Sequence, residues 1–467
     1  MPLAWVAAVA ALLLLVFPLG FPNYDTIYSL LWGREMAHGM SPDRGAALPP
    51  TPHPLSELFG LVTAPLGNGA IDLAMIVAYV SLGLVGYLVY RLGSLWFDRP
   101  IGAVAALIVL TRAPYLSNGL RAYIDVPYIT LVLGALLIET RRPRAGWPVL
   151  ALLALAGLLR PEAWLFSFAY LAYLALDVER FREMRRPMLI ALAVAAPLGW
   201  ALFDWIAAGS PTYSFTGTRE TVETLERQTG PVDLVLYGPR RLGEVLQWPG
   251  MVGAAGGVVL GLAFLRRRSG IGVAAAALAL GAFAVLATAG LAIIPRYTML
   301  AAAVLAIFAA LGLLGWRLLD AGHPWRRGWQ AFAAVVALMF VVWAPNQYDL
   351  LHRVDVDLTN QSEIEADLDD LAHSGAFEPL CLPISVPNHR AIPRLAFDLD
   401  LRPSRIVSSS EQGQPRHGYF LNPASPFVIH NFILDPNDPA RLETTTVPPG
   451  FRQVARNDSW VLYRTCR

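Results

Sequence analysis

The chain contains no lysine, so all 36 of its basic residues are arginine. Charge of either sign is scarce: charged residues make up 15% of the 467, where a soluble chain usually carries about 25%. That deficit excludes an ordinary cytosolic enzyme and a disordered scaffold. With a net charge of +1 there is no basic excess, and no nucleic-acid partner is expected. Cysteine is nearly absent. Cys381 and Cys466 both lie near the C-terminus, outside every apolar run. An even pair in one extramembrane segment suits a disulfide formed in an oxidising compartment, with two free thiols as the alternative. The missing lysine and the Ala, Leu, Gly and Pro bias point to a GC-rich, bacterial genome, which bears on origin and not on mechanism.

Apolar sequence is abundant: 55% of residues are hydrophobic and the mean hydropathy is +0.47. A bilayer core of about 30 Å takes about 20 apolar residues per helix, fewer where neighbours shield it. Eleven runs qualify, at about 3–20, 70–90, 101–115, 126–139, 147–159, 163–178, 188–207, 251–265, 271–293, 298–316 and 331–345. The expected fold is a polytopic α-helical membrane protein of about 11 transmembrane helices with a small C-terminal α/β domain. The runs 147–159 and 163–178 also suit a re-entrant or strongly tilted pair. The first run lacks a basic leader and is read as a span, not as a signal peptide.

Arginine placement orients the chain. With the N-terminus inside, the inner loops hold Arg91, Arg99, Arg141, Arg142, Arg144, Arg180, Arg182, Arg185, Arg186, Arg266 to Arg268, Arg317, Arg326 and Arg327. The outer loops are together more than twice as long, yet they carry fewer arginines. The expectation is a bacterial plasma-membrane protein with a cytoplasmic N-terminus and an extracytoplasmic C-terminal domain. The long polar segments 21–69, 208–250 and the tail from 346 then face outward.

Residues 1–345 are expected to form the membrane domain and 346–467 the external α/β domain. In the tail, 361–373 reads as a helix opened by a capping box of Ser362 and Glu365, and 379–386, 426–433 and 459–464 alternate like strands. The glycosylation-like triplets at Asn360 and Asn457 are short chance matches. No metal spacing, phosphate loop or nucleophile elbow is present, and no internal repeat is found.

Chemistry-bearing residues gather at outer ends of spans. Asp25 follows the first run by about five residues, so it stands no more than roughly 17 Å from its end. The next stretch, through Arg34-Glu35-Met36 and His38, suits an amphipathic helix along the interface, and a Pro-rich turn with His53 leads into a second, about 55–66. Taken alone, Asp25 reads first as a helix N-cap, and its context turns the reading toward function. Asp125 sits at another outer mouth, with Arg121 one turn earlier as a structural partner. Arg160-Pro161-Glu162 falls between runs five and six, and Pro295-Arg296-Tyr297 opens run ten. Charges this near hydrocarbon are costly unless paired or functional, and their recurrence on one side favours function for the set. Tyr24, Tyr297 and the tryptophans also suit an interfacial aromatic belt. His38 and His53 lack a compact ligand spacing, and no metal site is expected.

The order of Asp25, the Arg34-Glu35-Met36-x-x-Gly39 run and His53-Pro54-Leu55 resembles the first external loop of GT-C glycosyltransferases. The likeness is strongest to the branch holding protein mannosyltransferases, the aminoarabinose transferase of lipid A, and actinobacterial arabinosyl- and mannosyltransferases. The resemblance covers roughly residues 1–300. It implies that Asp25 is catalytic, that Asp125 is the second outer acidic position and that Arg296-Tyr297 is the late Arg-Tyr pair. It further implies a polyprenyl-phosphate sugar donor in the lipid bilayer and a glycan, lipid or protein acceptor. Asp25 stands singly where many relatives have an acidic pair, so no cofactor is required, a divalent cation at Asp125 being the alternative.

The chemistry fits these residue types. A base takes the acceptor hydroxyl's proton, which suits Asp25. The departing phosphate gains from positive charge, and arginine's fork binds its oxygens bidentately. Arg296 is the first choice, with Arg160 and Arg121 behind it; Glu162, His53 and Tyr24 complete the substrate-binding set. A transporter or lipid flippase is the rival reading, although transporters favour mid-membrane charge and repeated halves. A non-catalytic scaffold is a third.

Overall fold

A computed structural model describes residues 2–17, 20–433 and 444–466. The helices are α1 (Pro2–Val16), α2 (Tyr24–Ala37), α3 (Pro54–Thr63), α4 (Gly69–Trp96), α5 (Arg99–Leu110), α6 (Ala113–Leu120), α7 (Asp125–Arg141), α8 (Trp147–Leu159) and α9 (Glu162–Ala175). They continue as α10 (Val178–Glu183), α11 (Arg186–Ala208), α12 (Tyr213–Thr224), α13 (Gly230–Phe264), α14 (Arg266–Thr288), α15 (Met299–Leu314), α16 (Arg326–His373), α17 (Ile392–Asp398) and α18 (Ser409–Gln412). Among the described residues five strands follow α16: β1 (Ile384–Val386), β2 (Ile406–Ser408), β3 (Gly418–Pro423), β4 (Arg452–Arg456) and β5 (Trp460–Thr465).

Every expected apolar run lies in or overlaps a helix. Among the described residues, six helical segments are long and apolar enough to cross a membrane: α4, α11, α13, α14, Pro295–Leu318 around α15, and α16. The pair α5 and α6, bent by 62° at Thr111 and Arg112, would make a seventh. The expected number was about 11. At about 1.5 Å per residue, α5, α8 and α9, with 12, 13 and 14 residues, fall short of a bilayer core. A stretch packed against other helices is apolar whether or not it spans.

The chain packs as two compact units. The first comprises Met1–Phe17, Ile76–Phe203 and Gln228–Val354, and the second Pro18–Met75, Asp204–Arg227 and Asp355–Arg467. The second thus draws on the first long loop and on 204–227 as well as the tail. In the first unit, α15 is buried along nearly its whole length. A Cβ on Gly257 of α13 would stand 1.9 Å from the Phe308 carbonyl oxygen, so small residues let the two helices meet backbone to backbone. α13 breaks at Gln247 (φ 61°, ψ 164°), whose Oε1 accepts a 2.6 Å hydrogen bond from Trp343 Nε1.

In the second unit α2 crosses α3 where Gly33 meets Gly60; a Cβ on Gly33 would lie 2.2 Å from the Gly60 carbonyl carbon. Strand order is β2-β1-β3-β5-β4, with β1 parallel to β2 and β3, and β5 antiparallel to β3 and β4. Ile27, Leu31, Leu368, Val386 and Trp460 share its core. Cys381, before β1, is disulfide-bonded to Cys466, after β5.

Three local expectations are revised. Residues 26–33 of α2 are all buried, so this helix is a core element and not one with a polar face to present along an interface. Residues 361–373 finish α16, which runs unbroken from Arg326, so Ser362 and Glu365 are interior positions and cap nothing. Residues 426–433 form helical turns, while 379–386 and 459–464 do contain β1 and most of β5.

Candidate active site

Asp25 is the second residue of α2. Asn23 caps that helix: its Oδ1 accepts from the Asp25 amide at 2.8 Å and the Thr26 amide at 3.2 Å. The capping role open to Asp25 therefore belongs to Asn23. The half-buried Asp25 sits in the first turn, where the helix dipole favours negative charge. Tyr24 donates to the Leu48 carbonyl at 3.1 Å, and its ring meets Tyr28 edge-on at 4.9 Å and His389 at 5.6 Å. Burial holds its hydroxyl pKa well above the ordinary value, with Tyr28, Asp25 and Glu411 adding to the rise. Tyr24 is thus packed within the second unit.

His53 precedes α3, and its carbonyl accepts from the Glu57 amide at 3.0 Å. His38 ends α2 with Nδ1 2.9 Å from the Arg34 carbonyl. Among the described residues no group of three or more His, Cys, Asp or Glu side chains is gathered to hold a metal ion.

In the first unit, Asp125 opens α7, Arg160 ends α8 and Glu162 opens α9. Sequence-distant helix ends converge here. Arg160 Nη1 donates to Asp125 Oδ1, while Nη2 at 2.5 Å and Nε at 3.0 Å donate to Glu162 Oε1. The Arg160 guanidinium lies 4.4 Å from the Tyr297 ring centroid. All three charged residues are buried, at 1%, 6% and 5% exposure. One cation serves two carboxylates, so the trio carries a formal charge of −1. Asp125 Oδ2 and Glu162 Oε2 are buried and have no hydrogen-bond partner among the described residues. A buried acceptor left in that state costs about 1–3 kcal/mol, more when charged, and a donor arriving with a ligand would relieve it.

The expected one-turn pairing of Arg121 with Asp125 does not form: Asp125 pairs with Arg160, and Arg121 Nη1 donates to Ser117 Oγ. The Arg296 guanidinium lies 5.6 Å from the Tyr123 ring and 5.5 Å from that of Tyr297. Tyr297 therefore touches both Arg160 and Arg296.

Two charged clusters in the second unit escaped the sequence reading. Arg44 Nη2 lies 3.2 Å from both oxygens of the fully buried Glu57, and its guanidinium covers the Trp32 ring at 4.5 Å. Glu57 inside the apolar stretch PLSELFGLVT was the available signal. Glu35 accepts from the Asp43 amide at 2.5 Å, and Asp43 Oδ2 accepts from the Ser404 amide at 2.9 Å. Arg402 Nε stands 3.4 Å from Glu35 and 3.6 Å from Asp43. Burial raises the Glu35 pKa. At Asp43 burial is outweighed by hydrogen bonds from Ser404 and Gly45 and by Arg402, so its pKa is lowered.

No family model matches the chain, and no curated protein matches it in sequence. Solved structures do match. ArnT from Cupriavidus metallidurans bound to undecaprenyl phosphate is similar at a TM-score of 0.58 and 15% identity, covering 99% of this chain and 97% of that one. Its apo form gives 0.54 at the same identity and coverage. The apo oligosaccharyltransferase of Archaeoglobus fulgidus gives 0.50 and 12% identity over 88% of this chain and 65% of that one. The likeness to these structures is one of fold.

Proposed function

We propose that the chain is an inverting glycosyltransferase moving a sugar from a polyprenyl-phosphate donor to a cell-envelope glycan, lipid or protein on the external face of a bacterial plasma membrane. The observation that carries this reading is fold likeness over almost the whole of both chains to a structure that binds undecaprenyl phosphate. The arginine asymmetry supports a cytoplasmic N-terminus and an external catalytic face.

In this reading the Asp25 carboxylate takes the acceptor hydroxyl's proton as that oxygen attacks the anomeric carbon. The carbon–oxygen bond to phosphate breaks, polyprenyl phosphate leaves with the electron pair, and the anomeric centre inverts. Arg296 receives the phosphate. Arg160 suits that role less well, because Asp125 and Glu162 already occupy it. The unpartnered oxygens of Asp125 and Glu162 are suited to accept hydrogen bonds from sugar or acceptor hydroxyls. Arg121 and Tyr297 in the first unit, and Tyr24 and His53 in the second, are the remaining substrate-binding candidates.

The test incubates purified protein with radiolabelled polyprenyl-phosphate sugars and a membrane-glycan extract, wild type beside Asp25→Asn. Transfer from one donor, lost in the folded variant, is the expected result. Equal transfer by both would remove Asp25 from the base role and direct attention to Asp125.

A further inference from the structure

β1 lies between its two parallel neighbours, β2 and β3. The chain leaves β1 to one side to form β2, then returns past it to form β3. That reversal is a topological switch point, and open α/β sheets bind ligands outside the carboxyl ends of their strands at such points. Asn388 and His389 follow the carboxyl end of β1, and Ser409 to Gln412 that of β2.

These two strand ends meet through polar groups. His389 Nδ1 pairs with Glu411 Oε1 at 3.1 Å, and Ser410 Oγ donates to Glu411 Oε2 at 2.6 Å. In the neutral imidazole this pairing places the proton on Nδ1 and leaves Nε2 an acceptor. Tyr24 packs edge-on against the same imidazole at 5.6 Å, so the first turn of α2, which carries Asp25, lies at this edge of the sheet. The hydroxyls of Ser385 on β1 and Ser409 after β2 are buried with no hydrogen-bond partner among the described residues.

We propose that this edge is a glycan-binding subsite in which His389, held by Glu411, and Tyr24 position a hydroxyl-rich acceptor beside Asp25. Its role as an acceptor subsite rests on the transferase reading above; the binding of glycan does not. Imidazole nitrogen, carboxylate and serine hydroxyls accept and donate hydrogen bonds in the mixture that adjacent sugar hydroxyls present. The carboxylates of Glu411 and Asp25 would repel a phosphate, which argues against the donor's headgroup as the occupant. His389 touches the acceptor and Glu411 acts through it, and neither takes part in bond making.

The test uses the full chain in lipid nanodiscs on an array of neutral and N-acetylated pentose and hexose oligosaccharides. Wild type should bind at least one of them. Glu411→Gln and His389→Gln should each weaken that binding about tenfold or more, the scale of a lost hydrogen bond involving a charged group. If His389→Gln does not fold, Glu411→Gln, which keeps the side chain's shape, carries the test. In the transfer assay both positioning variants should raise the acceptor KM with kcat little changed, whereas Asp25→Asn loses kcat. Unaltered binding in the variants, or an array on which wild type binds nothing, overturns the proposal. Binding lost as described from a protein that transfers no sugar would remove the transferase reading and leave the glycan site; transfer unaffected by either positioning variant would do the reverse.

Discussion

Glu57 makes a pH dependence that can be worked out in full. Its side chain on α3 is completely buried, and burial raises its pKa from 4.5 to about 7. Arg44 opposes the rise, while Asp204 and Glu35 add to it. In the unfolded chain the carboxyl loses its proton near the ordinary value; in the folded chain it keeps it to about pH 7. Between those limits the folded state binds more protons, so stability falls as pH rises and levels off above the folded pKa. The difference corresponds to about 3 kcal/mol, at about 1.4 kcal/mol per pH unit. Thermal unfolding of the detergent-solubilised chain should be followed from pH 5 to 8 for wild type and Glu57→Gln. Wild type should lose about 2 to 3 kcal/mol more than the variant over that range. Other buried acids, such as Asp398, whose pKa burial raises to about 6, titrate in both proteins and cancel in the difference. The variant's altered pairing with Arg44 shifts its curve as a whole and not its slope. Parallel profiles would refute the assignment of the raised pKa to Glu57.

Arg160→Gln should destabilise the first unit by about 3–5 kcal/mol, because it leaves Asp125 and Glu162 buried without their cation; adding Glu162→Gln should recover part of the loss, measured by thermal unfolding. Gly33→Ala should cost about 2 kcal/mol or more, since the new Cβ would meet the Gly60 backbone, which cannot swing aside as a flexible side chain would; wild-type unfolding in this variant would show that α2 and α3 separate easily. Reducing the Cys381–Cys466 disulfide, which closes a segment 85 residues long, should lower stability by about 4 kcal/mol, read as a drop in Tm for the Cys381→Ser, Cys466→Ser double variant without reductant.

The parts of the molecule legible in sequence are those set by local periodicity. Apolar runs became helices because a run's composition and length constrain its backbone wherever it packs. Charges stood at the ends of those runs, where a bilayer tolerates them, and three of them, Asp125, Arg160 and Glu162, pair in the structure. What sequence could not show was each residue's partner. The pairing rule for helices joins residues four apart, and it nominated Arg121 for Asp125; the actual partner, Arg160, is 35 residues on and arrives only because α7, α8 and α9 bring their ends together. Ser362 and Glu365 have the spacing of a capping box, yet that spacing also recurs along any long helix, and nothing between 346 and 361 breaks α16. The mixed sequence YDTIYSLLWGREMA reads as half polar, but the glycine contact with α3 and the packing of α17 cover its polar side as well. His389 and Glu411 are invisible for a related reason. They are 22 residues apart, with no shared motif, and only the parallel register of β1 and β2 places one opposite the other. Asp25 was nominated by the resemblance of its loop, while the groups proposed to hold a substrate against it depend on long-range packing.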